Sequence, residues 1–126
     1  MKVSSSGGNR RYLAWRFGRM GEARCAWQLR LAGYRIIARD VRTPVGEIDL
    51  VARRGRTLAF VEVKARSRAG AAESLTPRQR RRIVRAAQAF LAGRPALAVL
   101  NVRFDLMLVG RGLFPRHLRA AFRADD

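Results

Sequence analysis

Two strand-like runs, GEIDLVAR (46–53) and RTLAFVEVKAR (56–66), stand only Arg54-Gly55 apart, and this spacing constrains the fold more than any other feature of the chain. Their Ile, Val, Thr and Phe residues suit a pleated, half-buried surface, and a glycine in a two-residue connection suits a tight antiparallel turn. The segment therefore predicts a β-hairpin. Side chains alternate across a strand, so Leu58, Phe60, Glu62 and Lys64 share one face while Ala59, Val61, Val63 and Ala65 share the other. With Arg53 opposite Arg56, Asp49 lies opposite Phe60 and Glu47 opposite Glu62. Asp49 and Glu62 are then diagonal neighbours on one face, within reach of a common ion. A slip of one residue would send the two acids to opposite faces.

Carboxylates are unexpected there on composition. The 126 residues include 27 Lys or Arg against 9 Asp or Glu, a formal charge of +18, yet three of the acids, Glu47, Asp49 and Glu62, fall inside the hairpin. Of the basic residues 25 are Arg, and one of the two Lys, Lys64, follows Glu62 by two positions, about 7 Å along a strand. Glu22 shares a helical i, i+4, i+7 stripe with Ala26 and Leu29, so it turns toward the core. An inward carboxylate needs a cation, a set of hydrogen bonds or a raised pKa. A divalent metal would serve Glu22, Asp49 and Glu62 together. Clustered hard oxygens suit Mg2+ or Mn2+, which activate water and neutralise charge on a scissile phosphate.

The backbone carbonyl of Val63 is a further candidate ligand. Lys64, a compact donor, would hold an attacking hydroxide or a developing oxyanion better than an Arg. The candidate catalytic residues are thus Asp49, Glu62, Lys64 and Glu22, with the metal held by Asp49, Glu62, Val63 and Glu22. The plainer alternative for the hairpin residues is a salt-bridged strand pair, which contributes little. For Glu22 it is an ion pair with Arg19 or Arg30, and Glu47 fits a rim ion pair with Arg66 or Arg68 better than a ligand role.

A charge of +18 calls for a polyanionic partner, and nucleic acid is the leading one. DNA is favoured over RNA, which gives no reason for inward acids beside Lys64. The phosphate contacts are expected from Arg66 and from the run Arg78, Arg80, Arg81, Arg82 and Arg85, whose like charges repel one another unless an anion lies across them. A membrane partner is not expected, because the basic residues are dispersed and no apolar run approaches the ~18 residues of a span. One cysteine, Cys25, allows no internal disulfide, and the N-terminus lacks the apolar core of a signal peptide. The cytoplasm is the expected location. The length suits one domain over residues 10–126, preceded by a flexible basic tail at 1–9.

The other elements follow from their boundaries. A helix over about 10–32 ends at Gly33, and YRIIARDVR reads as a strand. Thr76, Pro77 and Gln79 announce a second helix with a capping box, its inner stripe Ile83, Val84, Ala87, Phe90 and Leu91 and its end at Gly93. LAVLNVRFDLMLV is the last strong strand, and a basic tail follows. The fold class is α/β, a mixed central sheet flanked by helices. Cys25, Trp15 and Trp27 are expected in the core, Asp105 as a buried partner of an Arg, His117 in a structural or solvated position and Gln88 on a helix surface.

Asp49 followed by Glu-Val-Lys at 62–64, on adjacent strands with an acid on the preceding helix, resembles the PD-(D/E)XK nuclease superfamily. Gly21-Glu22, Gly33-Tyr34, GEIDLV, FVEVKAR, TPRQRRRIVRAA and Phe104-Asp105 resemble, more closely, the YraN family, which is similar to archaeal-type Holliday junction resolvases. The similarity spans about residues 15–122. It implies a restriction-endonuclease-like core, metal-dependent hydrolysis of phosphodiester bonds in DNA, the same residues Glu22, Asp49, Glu62 and Lys64, and a homodimer. The alternative is a DNA- or RNA-binding protein that keeps the nuclease fold and does not cut. The chain departs from the family pattern at Cys25 and Asp40, where relatives often show Ala and Asn, at Arg78, often Lys, and at Ala120, often Asn.

Overall fold

The computed structural model describes residues 20–65, 75–110, 112 and 114–126. Within it a helix, α1 (20–31), precedes β1 (Arg35–Thr43), β2 (Gly46–Arg54) and β3 (Thr57–Ala65). Then come α2 (Pro77–Ala92), the single turn α3 (Pro95–Ala98), β4 (Asn101–Val109) and β5 (Arg116–Phe122). The strands form one five-stranded sheet in the order β1-β2-β3-β4-β5, parallel only between β3 and β4 and antiparallel elsewhere. A parallel pair needs a crossover, and α2 supplies it.

The helices cover opposite faces of the sheet. Leu58, Phe60, Phe104, Leu106 and Leu108 pack beneath Ile83, Ala86, Ala87 and Phe90 of α2. Ala59, Val61, Met107 and Val109 pack with Leu50 and Ala52 beneath Cys25, Ala26 and Leu29 of α1. The odd–even division of β3 expected from the sequence is therefore the division between two cores. This is an α/β mixed sheet flanked by helices, consistent with a restriction-endonuclease-like core.

Local chemistry explains most boundaries. Gly33 at φ +92° closes α1, with Tyr34 N–H donating to the Leu29 carbonyl at 2.9 Å and Gly33 N–H to Arg30 at 3.0 Å, a Schellman cap. Thr76 and Gln79 exchange side-chain-to-backbone hydrogen bonds at the start of α2, and Pro77 takes the first helical position. Arg78, Arg81, Arg82 and Arg85 are exposed, as is Gln88, and Cys25 is buried.

Several expectations are corrected. The hairpin turns on Gly55 and Arg56, since Arg54 pairs with Thr57. Gly55 has φ +62°, which suits the first central position of a II′ turn. The register is thus displaced by two residues from the one expected, and an even displacement preserves the faces. Leu97 and Ala98, read as the start of the last strand, belong to α3, because Pro95 fits a first helical turn. The basic tail adds β5 at the sheet edge. Trp27 lies 63% exposed on α1 and not in the core. Trp15, Arg19, Arg66, Arg68 and positions 10–19 of the first helix expected from the sequence lie outside the described residues.

Candidate active site

Beyond the pair Leu50 and Val61, β2 and β3 part company. β2 stays on β1 as far as Gly46 opposite Thr43, and β3 stays on β4 as far as Ala65 opposite Val109, so a wedge opens between the two middle strands. Asp49 stands at its apex. Its carboxylate accepts the Val63 N–H at 2.7 Å, taking the place of a main-chain acceptor where the ladder ends. The packing changes here too, for Ile48 joins the α2 core while Leu50 and Ala52 join the α1 core. A glycine holds the strand start against α2: a Cβ on Gly46 would come within 2.9 Å of the Arg82 carbonyl.

The displaced register brings Asp49 and Glu62 together more directly than the diagonal expected. Extended by one step, it sets the two residues opposite each other, and their carboxyl groups share a hydrogen bond. Burial, then the Asp49 charge and the shared bond, push Glu62 up to about 8, against a smaller lowering by Lys64. Burial also raises Asp49, against the lowering effects of the Val63 N–H and the Glu62 carboxyl. Two like acids confined together resist being ionised at the same time.

Two openings flank the wedge. On the α1 side a cavity of about 180 Å3 is lined by Gly21, Glu22, Asp49, Val63, Lys64 and Val109 among others. On the α2 side Glu47, Asp49, Glu62, Gln79, Arg82 and Ile83 line about 210 Å3. Asp49 belongs to both. Glu22 and Lys64 thus line one side of the wedge with Asp49, and Glu62 and Arg82 line the other, so the single face expected for Glu62 and Lys64 is divided between the two openings. Gln79, read from the sequence only as a cap, also faces the acids, a placement that depends on how α2 docks and leaves no signal in the chain.

Among the described residues no three His, Cys, Asp or Glu side chains converge tightly enough to hold an ion by themselves. Asp49 and Glu62 form the compact pair, and Glu22 borders it across the α1-side cavity. The donor set still fits Mg2+ or Mn2+, because such ions are held by one or two carboxylates and keep several waters. The N–H and C=O of one strand residue point to the same side, so Val63, whose N–H meets Asp49, turns its carbonyl into the same wedge.

Asp105 belongs elsewhere. Fully buried on β4, it receives Arg103 through Nε at 2.8 Å and a terminal nitrogen at 2.7 Å, together with the Ala120 N–H at 3.0 Å. His117 Nε2 lies 2.7 Å from the same carboxylate. Burial alone would raise its pKa, and the His117, Arg103 and Ala120 hydrogen bonds outweigh it and bring the pKa below the ordinary value. The expectation of a buried Arg partner holds, and His117 is structural, tying β5 to β4. The Cys25 thiol, pushed up to about 12 by burial, is inert.

Comparison with known proteins converges on one family. The model of the uncharacterised protein family UPF0102 matches residues 21–109, which include all of β1 to β4. The chain belongs to the UPF0102 family. A UPF0102 protein of Rhodopseudomonas palustris (strain BisB18) is 55% identical over 90% of this chain and 85% of its own length. Those of Parvibaculum lavamentivorans and Paramagnetospirillum magneticum are each 52% identical, over 87% and 89% of this chain and 84% and 91% of their own lengths. The UPF0102 match thus contains Glu22, Asp49, Glu62 and Lys64 and the whole of α2. No helix among the described residues is long and apolar enough to cross a membrane.

Proposed function

We propose that this chain is a metal-dependent endonuclease of the PD-(D/E)XK type, hydrolysing phosphodiester bonds in DNA, branched DNA included. The observation that carries the reading is the confinement of Asp49 with Glu62 where β2 leaves β3, with Lys64 beside them. A buried acid pair is costly unless a cation compensates it. Asp49, Glu62 and the Val63 carbonyl would hold the ion, and Glu22 would border it. Bound there, Mg2+ or Mn2+ supplies charge neutralisation at the phosphate and a more acidic water.

The chain's own groups do the rest. Lys64 presents an ammonium to the wedge, where it orients the attacking water and stabilises the oxygen that gains charge as the phosphorus is attacked. Arg82, exposed at the α2-side opening, meets the neighbouring phosphate. Arg78, Arg81 and Arg85 extend the same exposed helix face, since residues three and four apart lie together on a helix. The phosphate backbone would run along α2 with one linkage at the acids. The functional unit in this reading is a homodimer acting in the cytoplasm.

The test is cleavage of supercoiled plasmid and of a synthetic four-way junction in Mg2+ or Mn2+, with Glu62→Gln beside the wild type. Nicking or resolution by the wild type alone supports the proposal, and no product on any substrate removes it. The convergence of only two acids among the described residues favours one rival, a DNA- or RNA-binding protein that no longer cuts. It would bind with strong salt sensitivity and yield no metal-dependent product.

A further inference from the structure

On the α2 face, beside the acid pair, lies a cavity of about 290 Å3 that the cleavage chemistry does not use. Leu75, Leu106, Leu118, Ala121 and Phe122 form its apolar part, and Arg80 and Arg119 are its charged groups. Leu106 is the parallel partner of Glu62, one strand spacing of about 4.8 Å away. The cavity therefore begins at the next strand from the acids. Among the described residues no carboxylate lines it.

Arg80 differs from its neighbours in the arginine run. Arg78, Arg81 and Arg85 fall within one exposed face of α2, and Arg80 lies about 100° or more away from each of them around the helix. It is half-buried and donates to the Leu75 carbonyl at 3.2 Å, while its buried Nε has no hydrogen-bond partner among the described residues. An unpaired buried donor is costly unless a partner satisfies it. A guanidinium so placed, in a cavity lined also by Arg119 and by apolar side chains, suits a ligand with an anionic group and a flat apolar body.

We propose that this cavity seats one unpaired nucleotide of the nucleic acid, its base against Leu106, Leu118 and Phe122 and its phosphate between Arg80 and Arg119. The inference rests on the reading of the acid pair as a phosphodiester site, and it names the substrate class: strands with an unpaired nucleotide next to the linkage at Glu62. The volume lies just below the ~300–1,000 Å3 of small-molecule pockets, enough for a base and too small for a stacked pair. Extrusion costs least where the nucleotide is already unpaired, as at a bulge, flap or branch. Fully paired DNA would meet the α2 arginines and leave the cavity empty.

The experiment measures binding in EDTA, so that no cleavage is needed. A duplex carrying one bulged 2-aminopurine is compared with its fully paired counterpart, for the wild type, Arg119→Ala and Ala121→Trp. Arg119 and Ala121 are exposed, so both variants keep the core, and a thermal melt checks this. The wild type is expected to favour the bulged duplex on the order of ten-fold, as one stacked base would give, with a change in 2-aminopurine fluorescence. Ala121→Trp fills the mouth and is expected to reduce the preference to about two-fold or less with paired-duplex affinity unchanged, and Arg119→Ala to reduce the preference also. Equal wild-type affinity for both duplexes, or full preference in Ala121→Trp, would overturn the proposal. Preference without cleavage in Mn2+ would remove the nuclease and keep the pocket, whereas cleavage without preference would remove the pocket alone.

Discussion

The Asp49 carboxylate accepts the Val63 N–H at 2.7 Å, so the residue that ends the β2–β3 ladder also reaches toward Glu62. One side chain thereby does structural and chemical work, and substitutions can separate the two. Asn keeps an acceptor for Val63 and removes the charge. Asp49→Asn is expected to melt within a few degrees of the wild type and to lose at least about 100-fold in metal-dependent cleavage, whereas Asp49→Ala loses cleavage and melts lower. Parallel melts and nicking rates check this.

The acid pair makes stability depend on pH in an unusual direction. Glu62 is raised from an ordinary value to about 8, so the stability tied to its neutral form is complete below the ordinary carboxyl pKa and lost as pH rises through about 8. The metal-free protein should therefore be more stable at pH 6 than at pH 9. Glu62→Gln should remove most of this dependence, and added Mn2+ should offset the loss at high pH. Melting temperatures across that range, with and without metal, decide it.

Asp105 has the opposite sign. Its pKa is lowered by His117, Arg103 and Ala120 against the effect of burial, so the stability it contributes is present above the ordinary carboxyl value and disappears as pH falls through the lowered one. Asp105→Asn, which leaves Arg103 without its bidentate partner, is expected to cost roughly 3–5 kcal/mol at neutral pH. Denaturant titration measures it, and loss of β5 protection in hydrogen exchange would locate it.

The exposed arginines of α2 should act through phosphate neutralisation. Replacing Arg81 or Arg85 with Ala is expected to lower affinity for all DNA sequences alike and to flatten the salt dependence by about one ion each. Binding isotherms over a salt series provide the slope.

Ala120 sits at φ +50° and Asp40 at φ +53°, the left-handed region that Asn and Gly tolerate best. Asp tolerates this region better than Ala, so the larger backbone cost falls on Ala120. Ala120→Asn or Ala120→Gly should stabilise by about 0.5–1 kcal/mol, read from a denaturant midpoint.

The hairpin, the division of β3 between two faces and the capped α2 were legible because each depends on local chemistry or strand parity. The wedge was not. Where β2 leaves β3 depends on the competing hold of β1 and β4 on either side, a non-local balance that the run GEIDLV does not encode. Turn placement was ambiguous because Gly55 serves either adjacent connection, yet both keep Asp49 and Glu62 on one face. β5 escaped notice since Arg116–Phe122 shows no clean alternation and bends at Ala120; what secures it is Asp105, twelve residues before His117. Trp27 suits a core by type, but α1 turns it outward.

The most direct measurement is a crystal soaked in Mn2+ and examined by anomalous scattering. An ion between Asp49 and Glu62, with the Val63 carbonyl or waters completing its shell at roughly 2.1 Å, is the expected result. Absence of an ion at that wedge in crystals that bind Mn2+ elsewhere, or at saturating concentration, would contradict the assignment of Asp49 and Glu62 as the metal-holding pair.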